Sequence, residues 1–341
     1  MAIKEAIAEV INGRSLTFEQ AEAAMDYIMT GQATPAQIGS YLTALRMKGE
    51  SVDEIAGSAK SMRSHVIPVK IPIEADELMV DTVGTGGDGK HTFNVSTTVA
   101  FVVAGHGIKV AKHGNRAASS RSGSADMLMA LGGNLNLKPE QVAQCVAETN
   151  FGFLFAINHH PAMRFAGPPR REIGQRTIFN ILGPLTNPAG ALYQLIGVFA
   201  GHLTEPMANV LGKLGSKAAY VVHGADGLDE LSTSGVNRVS RLADGNVTTY
   251  ELDPLDLGLA RATIDDFIGG LPEENAVITR GILSGKDKGP RRDIVLLNAA
   301  ATLSVQCGDM QAGLEEAREA IDSGAALQTM ERWVEMTNSF G

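Results

Sequence analysis

The 341-residue chain is poor in cysteine and in aromatic residues. Its only two cysteines are Cys145 and Cys307. No C-x-x-C spacing occurs, and both cysteines sit in apolar, helix-like runs. They are expected to be buried thiols, neither a disulfide nor a metal pair. Aromatics make up 5%, with a single tryptophan. No run of about 18 apolar residues is present, which excludes a membrane-spanning helix. The segment Met1–Glu5 lacks the apolar stretch of a secretion signal, so a cytoplasmic protein is expected. On that expectation, the triplets Asn94-Val95-Ser96 and Asn246-Val247-Thr248 are chance matches to a glycosylation pattern. Positive charge is also in deficit: 29 Lys and Arg against 38 Asp and Glu leave a formal net charge of −9. An acidic chain argues against nucleic acid as a partner.

Glycine, by contrast, is abundant at 38 residues, and 44% of the chain is hydrophobic. Such a composition supports a substantial core with close helix packing and tight loops. Residues 1 to about 70 read as helices only. Thr17-Phe18-Glu19-Gln20, Thr34-Pro35-Ala36-Gln37 and Ser51-Val52-Asp53-Glu54 each place a hydroxyl at an N-cap and a Glu or Gln three residues later. Pro35 suits the first helical position, and Gly31 and Gly49 suit helix ends. Ile38, Tyr41, Leu42 and Leu45 fall on one helical face. The pattern changes near Val69–Pro72. Strand candidates at 78–83, 108–111, 151–157, 195–199 and 218–222 then alternate with helical segments such as 95–105 and 206–214. The alternation predicts an α/β domain with a mostly parallel sheet. Helix returns at 293–305 and 314–323.

Three segments carry chemistry. Asp81-Thr82-Val83-Gly84-Thr85-Gly86-Gly87-Asp88-Gly89 follows a strand and precedes a helix. Its glycines let backbone N–H groups face an anion at the helix N-terminus. It is neither a dinucleotide G-x-G-x-x-G nor a P-loop. Asn94-Val95-Ser96-Thr97-Thr98 opens the next helix, where it serves either as a cap cluster or as a phosphate or metal site. Lys112-His113-Gly114-Asn115-Arg116-Ala117-Ala118-Ser119-Ser120 follows the next strand. Ligands in open α/β sheets bind at such strand ends. Further on, Asp229-Glu230 is an adjacent carboxylate pair in a loop after a strand, expected to face solvent until substrate arrives.

These segments, taken with Gly123-Ser124-Ala125-Asp126, His159-His160-Pro161-Ala162-Met163, Arg176-Thr177-Ile178-Phe179-Asn180, Leu182-Gly183-Pro184-Leu185-Thr186-Asn187-Pro188 and Asp226-Gly227-Leu228-Asp229-Glu230, resemble the signature of the anthranilate phosphoribosyltransferases. The matches run in one order over about residues 80–235. Arg164 stands where Lys is common, and His91 where Asn is frequent. The resemblance implies a nucleoside phosphorylase/phosphoribosyltransferase-like fold. In it a small helical domain (1–70, with a segment about 165–190 packing against it) is hinged to a larger α/β domain (71–341). It also implies transfer of the phosphoribosyl group of phosphoribosyl pyrophosphate to the amine of anthranilate, in tryptophan biosynthesis, by a homodimer.

The residues that the resemblance assigns to phosphoribosyl pyrophosphate are Gly84, Gly87, Asp88, Thr92, Asn94, Val95, Ser96, Thr97, Lys112 to Ser120 and Ser124. Gly84, Asn115, His160 and Arg170 match the anthranilate residues. Ser96, Asp229 and Glu230 match the ligands of Mg²⁺, with two ions expected. Lys112, His113 and Arg170 are the implied catalytic residues. An oxygen-ligand set suits Mg²⁺ and phosphate, and the planar fork of Arg170 suits a carboxylate. Two alternatives are a pyrimidine nucleoside phosphorylase and a non-catalytic relative that binds nucleic acid. The complete Lys112–Arg116 loop and the carboxylate pair weigh against the first, and the net charge and the same carboxylates against the second.

Overall fold

The computed structural model describes residues 3–74, 77–117 and 121–341. Four helices come first: α1 (Ile3–Ile11), α2 (Phe18–Met29), α3 (Pro35–Lys48) and α4 (Val52–Ser64). All three expected capping boxes form. Thr17, Thr34 and Ser51 accept from the N3 backbone, and Gln20, Gln37 and Glu54 reach back to the cap N–H. Side chains thus satisfy backbone groups that a bare helix end leaves to water. The face Ile38, Tyr41, Leu42, Leu45 is buried as its spacing predicts.

The remaining elements are β1 (Met79–Gly84), α5 (Val95–His106), β2 (Lys109–Gly114), α6 (Ser124–Ala130), α7 (Pro139–Thr149), β3 (Phe151–Phe155), α8 (Ala156–His159), α9 (Met163–Ile173), α10 (Phe179–Leu182), β4 (Tyr193–Gly197), α11 (Thr204–Lys213), β5 (Ala218–His223), β6 (Asn237–Ala243), β7 (Asn246–Leu252), α12 (Pro272–Leu283), α13 (Pro290–Leu303), α14 (Met310–Asp322) and α15 (Ala325–Ser339). One seven-stranded sheet runs in the order β3-β2-β1-β4-β5-β6-β7. The first five strands are parallel, and β6 and β7 add as antiparallel strands. The hairpin between β6 and β7 turns at Asp244 and Gly245, both with positive φ.

Two cores flank the sheet. One joins α5, α6 and α12–α15 to one face around Phe101, Phe151 and Trp333. The other is continuous from α1–α4 through Ala166, Ile178 and Leu182 to Val198, Leu211 and Val221 on the opposite face. Within it, α9 packs against α2 and α3. Arg63 on α4 donates from Nε to Leu185 O (2.6 Å) and from Nη1 to Leu214 O (3.2 Å), which ties α4 to the sheet side. The two cysteines differ from expectation in part: Cys145 is buried, but Cys307 is exposed, because α13 ends at Leu303.

Candidate active site

The strand order reverses around β1, with β2 on one side and β4 on the other. Parallel sheets bind ligands at the carboxyl edge of such a switch point. There, Gly84 at the end of β1 pairs with Gly197 at the end of β4. Both must be glycine for the same reason. A Cβ on Gly84 would overlap the Asp229 carboxylate, and one on Gly197 would overlap the Asp229 carbonyl. The missing side chains therefore seat the 229–230 peptide directly on the strand ends.

Asp229 and Glu230 do not face solvent freely, as their place in the sequence suggests. Each is only 9% exposed. Gly86 N donates to Asp229 Oδ2 (2.6 Å), and Ser96 N donates to Glu230 Oε1 (3.2 Å). The Gly-rich loop and the first turn of α5 thus bind the pair through backbone amides. Burial raises the pKa of both, and like charge adds to it: Asp88 acts on Asp229, and Asp229 on Glu230. Asp88 Oδ1 accepts from Lys90 N (3.1 Å), while its buried Oδ2 has no partner among the described residues.

Lys112 is buried beneath this cluster at 1% exposure. Its Nζ donates to Thr82 O (2.5 Å) and Ser96 Oγ (3.2 Å). Burial lowers its pKa, and Asp81, Glu230 and Asp229 pull it back up. Asp81 anchors the loop after β2: Oδ1 accepts from His113 N (3.2 Å) and Oδ2 from Asn187 Nδ2 (2.8 Å). Its own pKa is pushed up to about 6 by burial, against the lowering effect of Lys112.

Two adjoining cavities open here. A polar cleft of about 410 Å³ is lined by the Gly-rich loop, Asn94, Ser96, Lys112, Asn115, Ser124, Asp229 and Glu230. A more apolar cavity of about 640 Å³ lies beside it, lined by His160, Met163, Met62 and Pro161 among others. His113, Asn115, Arg170, Phe179 and Gly183 border both. His113 Nδ1 is 3.1 Å from Gly183 O, a contact that makes Nδ1 the protonated nitrogen. His113 Nε2 is then an acceptor, so His160 Nε2, 3.1 Å away, must donate to it. Burial pushes His113 down to about 3 and His160 down to about 4. Both imidazoles are neutral at pH 7. The Arg170 guanidinium lies 4.9 Å from the Phe179 ring centroid. Pro168 and Pro169 are inside α9, and Arg170 occupies its last turn.

Most of the anticipated residues therefore meet in one place: Gly84, Gly87, Asp88, Asn94, Ser96, Lys112, His113, Gly114, Asn115, Arg116, Ala117, Ser124, Arg170, Asp229 and Glu230 line the cleft, and His160 lines its neighbour. Three do not line it. The side chains of Val95 and Thr97 turn into the core, and Thr92 pairs with Ile268 in an antiparallel bridge. Ala118, Ser119 and Ser120 lie outside the described residues. Arg116 is partly engaged, with Nη1 3.6 Å from Asp126 Oδ1. His91, where Asn is frequent, has φ +57°, a left-handed conformation that Asn adopts readily. Sequence reasoning assigned no role to Phe179 or Gly183, which border both cavities, nor to Arg176, which donates to Gly87 O across the cleft. Their motifs were visible, but nothing in a linear pattern reports a contact over 89 positions.

Similarity to known proteins agrees with this geometry. Residues 76–327 match the glycosyl transferase family a/b domain, and residues 4–66 match the helical bundle domain of the same family. The anthranilate phosphoribosyltransferase of Moorella thermoacetica is 55% identical over 338 residues, 98% of each chain. That of Symbiobacterium thermophilum is 54% identical over 338 residues, again 98% of each. The chain belongs to the anthranilate phosphoribosyltransferase family. Among solved structures, the Thermus thermophilus enzyme superposes with a TM-score of 0.92 at 44% identity, covering 98% of this chain and 99% of that one. The Saccharomyces cerevisiae enzyme, solved in complex with PRPP and Mg, gives 0.88 at 30% identity, covering 99% and 98%. The helical bundle joined to a larger α/β domain with a mostly parallel sheet is the architecture of this family.

Proposed function

We propose that the chain transfers the phosphoribosyl group of phosphoribosyl pyrophosphate to the amine of anthranilate, releasing pyrophosphate, as a step in tryptophan biosynthesis. The observation that carries this reading is the pair of adjoining cavities of opposite character. One is rich in glycine N–H groups, carboxylates and a buried lysine. The other is apolar, with an arginine stacked on an aromatic ring at the boundary. A phosphorylated sugar diphosphate with a divalent cation suits the first, and an aromatic carboxylate the second.

Ser96, Asp229 and Glu230, with Asp88 beside them, fit Mg²⁺. Among the described residues Asp88 Oδ2 is buried without a partner, and burial and like charge hold Asp229 and Glu230 in a state that a cation relieves. Among the described residues no three His, Cys, Asp or Glu side chains converge on one metal position. One or two carboxylates per ion, completed by phosphate oxygens and water, is the ordinary Mg²⁺ arrangement, and two ions suit three carboxylates spread along the cleft. Bound there, Mg²⁺ supplies positive charge to the departing pyrophosphate.

The chain's own residues do the rest. The Gly-rich loop and the first turn of α5 bind phosphate oxygens through N–H groups. Lys112 adds charge beneath them. Arg170 orients anthranilate by its carboxylate, with Phe179 beside the guanidinium. The amine nitrogen then forms a bond to the anomeric carbon, and the bond from that carbon to the pyrophosphate oxygen breaks, its electron pair leaving with the oxygen. The product amine sheds one proton. His160 Nδ1 is the acceptor left on the His113–His160 pair. With both imidazoles held neutral and weakly basic, positioning and electrostatics dominate the rate.

We also propose a cytoplasmic homodimer joined through the N-terminal helices, where Ile11 and Met47 are 67% and 84% exposed. No helix among the described residues is long and apolar enough to cross a membrane. The test of the activity is the loss of anthranilate fluorescence on adding phosphoribosyl pyrophosphate with Mg²⁺. Its stoichiometric loss, abolished by a chelator and restored by excess Mg²⁺, is expected. Unchanged fluorescence with all three components present would refute the assignment.

A further inference from the structure

The first turn of α5 has an unusual cap. Asn94 occupies the N-cap position yet makes no side-chain bond to its own helix. An Asn there normally accepts from the N2 or N3 backbone N–H. Here N2, Ser96, donates to Glu230 instead, and N3, Thr97, is left without that cap. The amide of Asn94 is drawn away by two other elements. Its Nδ2 donates to Ser122 O (3.2 Å), and its Oδ1 accepts from Ser122 Oγ (3.2 Å) and from Asn275 Nδ2 (2.9 Å).

Asn275 lies on α12 and is 1% exposed. Its Oδ1 accepts from Gly270 N (2.8 Å), which fixes which end of the amide is the donor. One helical turn on, Thr279 Oγ1 is 2.9 Å from Thr98 Oγ1, and Thr98 Oγ1 also donates to Asn94 O (3.0 Å). An i, i+4 pair on α12 therefore faces an i, i+4 pair at the start of α5. The strand-like segment before α12 closes the same contact: Phe93 N donates to Phe267 O (2.9 Å) and Gly269 N to His91 O (3.0 Å). Asn275 itself lines neither cavity.

We propose that Asn275 is a positioning residue for phosphoribosyl pyrophosphate: by holding the Asn94 amide off its own helix, it keeps the first turn of α5 open to the phosphate groups. This rests on the assignment of Asn94 to that substrate. Two single variants and their double variant in the full-length enzyme test it, with Mg²⁺ saturating. Asn275→Ala should raise the KM for phosphoribosyl pyrophosphate about five- to tenfold, the scale of one net hydrogen bond, and change kcat and the KM for anthranilate less than twofold. Asn94→Ala should raise the same KM by at least as much. In the double variant the effects should not multiply, because Asn275 acts through Asn94. Equal losses for both substrates with Asn275→Ala mean a merely structural role and overturn the proposal, as do effects that multiply in the double variant. An unchanged KM with Asn94→Ala overturns the assignment of Asn94 itself. Should Asn275→Ala be insoluble, Asn275→Ser, too short to reach Asn94, makes the same comparison.

Discussion

Arg170 is where the two cavities meet, so its removal separates the acceptor site from the diphosphate site. Its guanidinium is half-buried over Phe179, and burial lowers its pKa, while a guanidinium keeps its charge in proteins. Among the described residues it has no carboxylate partner, so Arg170→Ala strands no buried anion in the free protein. The loss should therefore be that of the substrate interaction alone, about 1.5–3 kcal/mol for a hydrogen bond to a charged group. Partial desolvation favours the upper half of that range. In kcat/KM for anthranilate this is roughly a ten- to hundredfold fall. Arg170→Lys keeps the charge but not the planar fork, and should recover only part of the loss. The helix should tolerate the change, since a cation in the last turn of α9 contributes about 0.3–1 kcal/mol. Steady-state kinetics with each substrate varied in turn provides the assay. An equal fall in kcat/KM for both substrates, or full activity in Arg170→Ala, would refute the carboxylate role.

Four further outcomes are expected. Asp229→Ala with Glu230→Ala should lower turnover more than a hundredfold at buffered Mg²⁺ while the melting temperature holds, because two buried like charges are removed together; near-normal turnover would sink the metal assignment. Gly197→Ala should displace the 229–230 peptide and produce a comparable loss of activity, and a crystal structure of the variant with that peptide unmoved would contradict the packing argument. His160 has a folded pKa near 4, below its unfolded value, so its stabilising contribution is complete above about pH 6.5 and is lost as pH falls toward 4. The stability difference between the wild type and His160→Gln should accordingly shrink by about 1.4 kcal/mol per pH unit in that window, and a pH-independent difference by denaturant unfolding would count against a neutral imidazole. Finally, light scattering at micromolar concentration should give twice the monomer mass, and Met47→Glu should shift it toward the monomer; a monomeric wild type would exclude the dimer.

Much of this was legible in the linear chain, for reasons that are local. A capping box needs only four consecutive residues, so Thr17, Thr34 and Ser51 marked their helices to the residue. Strands β1 to β5 are buried over most of their length, and all but β2 read as short, largely apolar runs. The outer hairpin was less visible. Strand β7 is mostly exposed and polar, and the Asp244-Gly245 turn that joins it to β6, a strong hairpin signal, sits in a stretch with little apolar content. The helix α12 was missed because the residues it buries include Asn275 and Thr279, polar side chains that weaken any periodic apolar face. Cys307 looked buried because the apolar run before it continues to Val305, although the helix itself stops at Leu303. The site residues announced themselves as motifs, but their burial did not. Whether Asp229 faces water depends on glycines more than thirty positions away, at Gly84 and Gly197, and only the paired strands bring those together.

The electrostatics of the cleft explain why two substrates of the same sign can share it. Asp88, Asp229 and Glu230 oppose the entry of a polyanion, and Lys112 beneath them already gives two of its three N–H groups to Thr82 O and Ser96 Oγ. Alone, the site is therefore a poor phosphate receptor. With divalent cations the sign reverses at the carboxylates, and the Gly-rich loop and the first turn of α5 border the same cleft. The cavity proposed for anthranilate, also an anion, is lined by no carboxylate among the described residues, but by Arg164, Arg170, Arg171 and two neutral imidazoles. Had His113 or His160 been charged, that cavity would hold a further cation, and pyrophosphate would compete for it more strongly. Burial keeps the pair neutral, against the raising effect of the His113–Gly183 hydrogen bond, so among the basic side chains on that cavity only the arginines carry charge. On the proposed assignment, histidines held neutral limit how strongly that cavity attracts pyrophosphate.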